Sequence, residues 1–293
     1  MLPFLRFARP HTIAGTTVSV LGLYGIALAG GAAGRVDVLL LTLLSCLAAN
    51  VYIVGLNQLT DVEIDRVNKP YLPLAAGDFS LATGRAIVLV ALALSLILAA
   101  GQGRYLLLTV AAGTLIGTVY SLPPLRLKRF HFGAAACIFT VRGIIVNLFL
   151  FLHFSLALGG SEVVPARVWA LTSFVLGLSL VIAWFKDIPD VDGDRRFQIS
   201  TLTVRLGPHR VFGLGRALLT LCYLGLVAAG LLGLPGVNRL WLVTSQILLL
   251  LVAWAAGRGV QPTHKAAMSR YYLFIWGLFY VQYLVFPLAC LYA

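Results

Sequence analysis

Residues 38–58 read VLLLTLLSCLAANVYIVGLNQ and contain no charged side chain. A helix of about 20 apolar residues crosses the hydrocarbon core of a bilayer, so this run is long enough to span a membrane. The rest of the chain is similar: 60% of its 293 residues are hydrophobic and 11% are charged, whereas soluble domains carry about 25% charged residues. The sequence therefore predicts an all-α membrane protein and excludes a soluble fold.

Further apolar runs of similar length follow one another along the chain, bounded by charged residues, Pro or Gly. No linker or low-complexity stretch divides them, which predicts a single integral-membrane domain over residues 1–293. The nine predicted transmembrane helices are 12–30, 38–58, 81–100, 105–121, 133–158, 167–185, 209–233, 239–257 and 271–291.

Charged residues divide unevenly between the two sides of these spans. The N-terminus and the loops after even-numbered spans hold 17 of the 22 Lys and Arg residues, and the net charge is +12. Because basic loops stay on the cytoplasmic side, we expect the N-terminus and these loops to be cytoplasmic or stromal. This bias explains the net charge without a nucleic-acid partner. Eight of the ten acidic residues lie on the same side, which orientation does not require.

The first acidic cluster is Asn57-Gln-Leu-Thr-Asp61-Val-Glu-Ile-Asp65, at the end of the second span. Asn57, Asp61 and Asp65 are four residues apart, so on one continuous helix they share a face. Glu63 points elsewhere, towards solvent. We expect the helix to end near Lys69, because a proline follows it.

The second acidic cluster, Lys186-Asp187-Ile-Pro-Asp190-Val-Asp-Gly-Asp194, follows the sixth span. Its i, i+3, i+7 spacing places Asp187, Asp190 and Asp194 on one helical face and turns Asp192 away. Pro189 leaves open whether the helix continues through the cluster.

Carboxylate and amide oxygens suit a hard cation such as Mg²⁺, which proteins hold with a few carboxylates and substrate phosphates. Five aligned carboxylates repel one another, and two Mg²⁺ ions with a bound diphosphate would balance their charge. Solvated helix ends are the alternative interpretation. The predicted metal ligands, acting largely through the diphosphate, are Asn57, Asp61, Asp65, Asp187, Asp190 and Asp194.

Basic side chains on the same side are candidates for contacting phosphate oxygens. The stretch Tyr120-Ser-Leu-Pro-Pro-Leu-Arg126-Leu-Lys128-Arg129, after the fourth span, adds a phenol and three cations beside the clusters. An interfacial tyrosine with orientation charges is the alternative for this stretch. The candidate phosphate-binding residues are Arg66, Lys69, Lys128, Arg129, Lys186 and Arg195.

Four further polar residues are candidates for binding substrate. Arg142 lies inside the fifth span, where a charge is costly and by default faces a cavity or a partner; structural pairing is the alternative. Asn50 lies two helical turns before Asn57 and can face the same cavity. Arg9 and His11, at the mouth of the first span, either bind an anionic acceptor or anchor the helix at the interface.

These motifs together resemble the UbiA-type intramembrane prenyltransferases. The resemblance covers nearly the whole chain and rests on the two acidic clusters with the Tyr120…Lys128 loop between them. Three stretches narrow it to the homogentisate prenyltransferases of tocopherol and plastoquinone synthesis, and most closely to their phytyl-transferring members. These stretches are Phe7-Ala-Arg9-Pro-His11-Thr, the segment 55–73 around the first cluster, and Phe185-Lys-Asp-Ile-Pro-Asp-Val-Asp-Gly-Asp.

The resemblance implies a helical bundle around a central cavity and Mg²⁺-dependent transfer of a prenyl group to homogentisate. Phytyl diphosphate is the favoured donor, the product is decarboxylated, and the pathway is tocopherol biosynthesis; another chain length or acceptor stays open. No transit peptide is visible, so a cyanobacterial plasma or thylakoid membrane is expected, with lipid around the protein. The implied catalytic residues are Asp61, Asp65, Asp190, Asp194, Tyr120 and Lys128.

Two functions of other classes remain as alternatives. A transporter or cation channel would place its acids near the bilayer midplane, whereas these acids lie at span ends. A non-catalytic membrane scaffold would leave the matching spacing of the two clusters without a purpose.

Overall fold

The protein is described by a computed structural model that covers residues 2–31 and 33–293. Within these residues the regular structure is helical, apart from an isolated β-bridge between Phe130 and Ser200. The helices are α1 (Leu2–Ala8), α2 (Pro10–Leu28), α3 (Val36–Thr60), α4 (Val62–Asn68), α5 (Pro73–Ala76), α6 (Leu81–Ala100), α7 (Arg104–Ser121), a 3₁₀ turn (Leu127–Arg129), α8 (His131–Ile138), a π-helical segment (Phe139–Phe149), α9 (Leu150–Ala157), α10 (Ala166–Arg196), α11 (Leu202–Leu206), α12 (Pro208–Leu231), α13 (Arg239–Gly257) and α14 (Lys265–Leu291).

Eight helical spans among the described residues are long and apolar enough to cross a membrane, which confirms the all-α membrane fold. They coincide with eight predicted spans, although α10 runs on to Arg196 and α14 already begins at Lys265. The remaining predicted span, 105–121, is the 18-residue helix α7, whose Arg, Thr and Gly residues make it less apolar. The count of nine crossings and the single-domain organisation stay predictions.

The helices divide into inner and outer ones by their burial. Over their most apolar window, α10 and α14 are 61% and 56% buried, whereas α6 and α13 are 22% and 28% buried. The inner helices pack on one another, α14 against α2 and α10, and α3 against α2 and α7. The outer helices present leucines such as Leu89 and Leu251 on their free faces, as lipid contact requires.

The first acidic cluster does not lie on one continuous helix, so that prediction is wrong. Helix α3 ends at Thr60, Asp61 has non-helical torsions (φ −121°, ψ 18°), and α4 starts at Val62. The break coincides with contacts that the spacing cannot reveal, because two cations from the loop after α7 bind the Asp61 carboxylate. The predicted helix end is confirmed, since Lys69 is the C-terminal cap of α4.

The second acidic cluster lies on a helix that continues through Pro189 to Arg196, which answers the question left open by that proline. Helix α4 approaches this region closely at Gly193. A Cβ atom there would lie 2.0 Å from Oδ1 of Asn68. The glycine of the second motif therefore allows the two acidic segments to come into contact.

Candidate active site

A cavity of about 580 Å³ opens between α2, α3, α4, α7, the π-helical segment, α10 and α14. Both acidic clusters line it, together with nearly all of the other residues singled out in the sequence. The predicted residues in the lining are Arg9, His11, Asn50, Asn57, Asp61, Asp65, Lys69, Tyr120, Lys128, Arg129, Arg142, Lys186, Asp187, Asp190 and Asp194.

Asp61 lies at the centre of the first cluster and is held by two cations. Lys128 Nζ lies 2.7 Å from Asp61 Oδ2, and Arg126 Nη2 lies 2.9 Å from Asp61 Oδ1. Asn57 Nδ2 also donates to Asp61 Oδ2 at 3.1 Å, and Arg9 Nη2 donates to Asn57 Oδ1 at 3.2 Å. At the helix break, the Asp61 side chain is thus held by charge-assisted hydrogen bonds, which are stronger than neutral ones.

Lys69 links the two clusters directly. Its Nζ lies 2.5 Å from Asp190 Oδ2, across 121 residues of sequence. Lys186 Nζ lies 3.6 Å from Asp187 Oδ1 on the same helix. Asp194 is buried one turn further along α10. The structure therefore brings the two predicted clusters together as one charged region, which we name the acid-cluster end of the cavity.

Burial changes the acid–base properties of two groups in the loops of this region. Desolvation raises the pKa of Asp65 to about 6, although the positive charges of Arg9 and Lys69 oppose the shift. Desolvation also lowers the pKa of Lys128 to about 8, with the Asp61 carboxylate acting in the opposite direction. Both groups therefore titrate within two pH units of neutrality. Shifted pKa values of this kind are typical of functional sites.

The carboxylate of Asp65 also has an oxygen that the described residues do not satisfy. Its Oδ2 is buried and accepts no hydrogen bond, a costly arrangement for a carboxylate oxygen. Within the described part of the chain, no three His, Cys, Asp or Glu side chains converge closely enough to hold a metal ion by themselves. The donor set thus fits a cation that also takes ligands from a bound anion.

The deeper wall of the cavity is aromatic. The guanidinium of Arg142 lies over the Trp276 ring, 4.4 Å from its centroid, and 5.6 Å from that of Phe279. The His11 ring meets Trp276 edge-on at 5.2 Å. Asn50 Nδ2 donates to Thr12 Oγ1 at 3.1 Å and so ties α3 to α2. We name this region, defined by Arg142, Trp276, Phe279 and His11, the aromatic end of the cavity.

Three charged residues of the two acidic segments do not line the cavity. Arg66 is exposed and pairs with Glu63 at 2.6 Å, and it is not part of the lining. The prediction that Glu63 and Asp192 face away from the cluster is confirmed, because both are exposed and neither lines the cavity.

The candidates chosen from the sequence did not include several lining residues, among them Asn68 and Tyr272, and Arg126 was named only as one of the loop cations. Arg126 was recognisable as a cation of the Tyr120…Arg129 loop, and Asn68 lies three residues after Asp65 on α4. Tyr272 and Trp276 lie four residues apart on α14, a signal that the many aromatic residues around them obscure.

The sequence matches a known family and several known proteins. The model of the UbiA prenyltransferase family matches residues 18–278. Homogentisate phytyltransferase of Synechocystis sp. is 48% identical over 291 residues, which is 98% of this chain and 94% of that protein. Homogentisate solanesyltransferase of Arabidopsis thaliana is 41% identical over 292 residues, which is 96% of this chain and 75% of that protein.

A solved structure supports the fold independently of sequence. The structure of a UbiA homologue from Archaeoglobus fulgidus bound to GPP and Mg²⁺ has a TM-score of 0.67, with 99% of this chain and 100% of that chain covered, at 19% sequence identity. The family match covers most of the chain, and two relatives exceed 40% identity over nearly all of it. The chain belongs to the UbiA prenyltransferase family.

Proposed function

We propose that this chain transfers a prenyl group, with phytyl favoured, from its diphosphate to the aromatic ring of homogentisate, with loss of CO₂, as in tocopherol synthesis. The observation that supports the proposal is the meeting of both acidic clusters and their cations at one end of a cavity that also has many apolar lining residues. The 48% identity to a homogentisate phytyltransferase supports the donor and the acceptor.

The diphosphate is proposed to bind at the acid-cluster end. Lys69, Lys128 and Arg126 already lie within 2.9 Å of carboxylates, so they can turn towards phosphate oxygens when the carboxylates bind metal. Mg²⁺, as two ions held through the diphosphate, would neutralise the leaving group. The residues proposed to hold it are Asn57, Asp61, Asp65, Asp187, Asp190 and Asp194, and the unsatisfied oxygen of Asp65 supports this assignment.

The prenyl tail is proposed to occupy the apolar part of the cavity. A hydrocarbon chain gains roughly 0.8 kcal/mol for each buried CH₂ group. Such a site favours long, uncharged chains over short ones. The apolar lining residues include Val20, Cys46, Val110, Val141, Val146 and Leu150.

The chemistry follows from these positions. The allylic C–O bond breaks, and its electron pair leaves with the diphosphate, where Lys69, Lys128 and Lys186 stabilise the developing charge. A ring carbon of the acceptor forms the new C–C bond and then gives up its proton. The acetate side chain loses CO₂, and a proton takes its place. Tyr120 lines the cavity within electrostatic range of Lys186. We propose that its side chain lies beside the allylic carbon of the prenyl diphosphate.

The placement in the membrane is proposed from charge. Seventeen of the 22 basic residues belong to the N-terminus and the loops after even-numbered predicted spans, and two of these loops carry the acidic clusters. We therefore propose that the acid-cluster end opens on the cytoplasmic or stromal side, in a cyanobacterial plasma or thylakoid membrane.

One assay tests the proposed function. Purified protein in lipid nanodiscs receives Mg²⁺, homogentisate and, in separate reactions, phytyl, geranylgeranyl or solanesyl diphosphate, and mass spectrometry detects the products. We expect a decarboxylated, phytylated quinol as the fastest product. Faster transfer of another chain would reassign the donor, and transfer only to other aromatic acceptors would reassign the acceptor. No transfer at all, with cation uptake into liposomes, would instead establish a transporter.

A further inference from the structure

Arg142 is a cation inside the membrane that has no acidic partner among the residues described by the structure. It lies ten residues into the span Phe132–Ala157, roughly 15 Å along a helix axis. Among the residues that the structure describes, its guanidinium makes no ion pair and donates no hydrogen bond, and its contacts are the faces of Trp276 and Phe279. An intramembrane charge of this kind generally serves a ligand or a partner.

The backbone that carries Arg142 is built to hold it in place. It belongs to the π-helical segment Phe139–Phe149, a rare geometry that is frequent at functional sites. Asn147 Nδ2 donates to the carbonyl oxygens of Arg142 at 3.0 Å and of Gly143 at 2.7 Å. Tyr283 of α14 donates its hydroxyl to Asn147 Oδ1 at 2.6 Å. The widened turn is thereby fixed to a neighbouring helix.

The side chain is held by stacking, which leaves its hydrogen-bond donors free. A guanidinium over an aromatic ring keeps its N–H groups pointing outward in its own plane, where they match a carboxylate in a bidentate arrangement. Trp276 itself is fixed, because a Cβ at Gly15 would lie 2.7 Å from its ring and His11 packs against its edge. The aromatic end thus presents a free, oriented anion receptor to the cavity.

The diphosphate does not need this receptor. Lys69, Arg126 and Lys128 already provide cations at the acid-cluster end. Tyr272 connects the two ends, since it lies within electrostatic range of both Lys186 and Arg142. The space beside Tyr272 therefore adjoins a site for diphosphate on one side and a site for a second anion on the other.

We propose that Arg142 binds the carboxylate of the aromatic acceptor and is the residue that selects a carboxylated ring. This inference rests on the proposed function, because it assigns the acceptor's position within the same cavity. The acceptor ring lies beside Tyr272, with its carboxylate on the Arg142 fork and its reacting carbon towards the acid-cluster end. Trp276 is a positioning residue that acts through Arg142.

The test compares homogentisate with its methyl ester, which keeps the ring and removes the charge. Loss of a charge-assisted hydrogen bond pair in Arg142→Met is expected to raise KM for homogentisate about 10- to 100-fold. KM for the prenyl diphosphate and KM for the ester stay unchanged. Arg142→Lys restores the charge without the fork, so its KM for homogentisate lies between wild type and Arg142→Met.

Arg216→Met is the matched control. Arg216 also stacks on a tryptophan, 4.2 Å from the Trp254 ring, but it does not line the cavity. This variant loses the same type of pair and keeps the wild-type preference for acid over ester. An equal loss of homogentisate and ester in Arg142→Met, or a loss of prenyl diphosphate binding, would overturn the proposal.

A binding measurement separates this inference from the proposed function, because it needs no turnover. The Tm of the purified protein is followed with homogentisate or its ester. We expect homogentisate to raise the Tm of wild type and Arg216→Met, and not that of Arg142→Met or Arg142→Lys to the same extent. A stabilised wild type that transfers no prenyl group would defeat the proposed function and keep the Arg142 assignment. An equal Tm rise in Arg142→Met, or none in wild type, refutes the assignment.

Discussion

The two ends of the cavity treat charge in opposite ways. At the acid-cluster end, Asp61 and Asp190 are each neutralised by cations at 2.5–2.9 Å. At the aromatic end, the contacts that Arg142 makes with the described residues are the π faces of Trp276 and Phe279. The first end is balanced and must rearrange when metal and diphosphate enter. At the second end, the Arg142 side chain is held in one orientation, and its charge is available to an anionic ligand.

The same cavity therefore combines an adaptable site with a preorganised one. Cations on loops and helix ends, such as Lys69 and Lys128, can exchange a carboxylate for a phosphate at little conformational cost. Arg142, on a π-helical segment tied to α14, loses little entropy on binding, which is the advantage of preorganisation. The two ends should therefore respond differently to substitution.

The largest effect is expected when the acid-cluster end loses a carboxylate. Asp190→Asn keeps the shape of the side chain and removes its charge, so Lys69 loses its partner and the proposed metal site would lose a ligand. We expect kcat for prenyl transfer to fall about 10³-fold, measured at saturating Mg²⁺ and prenyl diphosphate. Asp192→Asn, two residues away and exposed, should keep the wild-type rate. Near-normal turnover of Asp190→Asn would remove Asp190 from the site.

The pH dependence of prenyl diphosphate binding tests the two shifted groups. Asp65, with a pKa of about 6, is ionised above that pH, and Lys128, with a pKa of about 8, is charged below that pH. Binding should be tightest between these values and weaken about tenfold per pH unit on either side, as expected for one proton per limb. KM for the donor is measured from about pH 5 to about pH 9, so that the range extends about one unit beyond each limb.

Two variants assign the limbs of that profile. Protonation of Asp65 and of the diphosphate itself both contribute to the acidic limb. Asp65→Asn should remove the contribution of Asp65 and leave that of the diphosphate. Lys128→Arg should move the basic limb above the measured range, because arginine stays charged at every pH used. If both profiles match the wild type, neither group controls donor binding.

A smaller effect is expected from the contact between the two acidic segments. Gly193→Ala would place a Cβ 2.0 Å from Asn68 Oδ1, so the Asn68 side chain must turn away or α4 and α10 must move apart; overpacking of this kind costs about 1–3 kcal/mol. We expect a lower Tm and a higher KM for the donor. Gly213→Ala, on α12 with no atom within 4 Å, should leave both unchanged. Equal behaviour of the two variants would show that the segments are not held together at Gly193.

Helical spacing explains the convergence of the second cluster only. Asp190 and Asp194 line the cavity because residues one turn apart on a helix point the same way. Asp61 and Asp65 also line it, although a helix break separates them. The apolar runs predicted the spanning helices for a similar reason, since length and hydropathy are local properties.

Long-range contacts explain what could not be predicted. The break at Asp61 coincides with ion pairs to Arg126 and Lys128, which are 65 and 67 positions away in the chain and meet Asp61 only in the folded bundle. The partner of Arg142 was hidden because Trp276 is one of many aromatic residues on α14, and only packing against α2 turns it towards the cavity. Neither contact leaves a periodic signal.

The smallest effect concerns Arg66, which lies between Asp65 and Lys69 in sequence but outside the cavity. Its Nη1 lies 2.6 Å from Glu63 Oε1, and the two side chains are 56% and 71% exposed. Exposed pairs of this type contribute about 0–1 kcal/mol, so Arg66→Ala should leave KM for the donor nearly unchanged. Lys69→Ala, in which Asp190 loses its partner, should raise it strongly. Equal increases in the two variants would show that Arg66 turns into the cavity when diphosphate binds, and that the acid-cluster end rearranges further than its present contacts indicate.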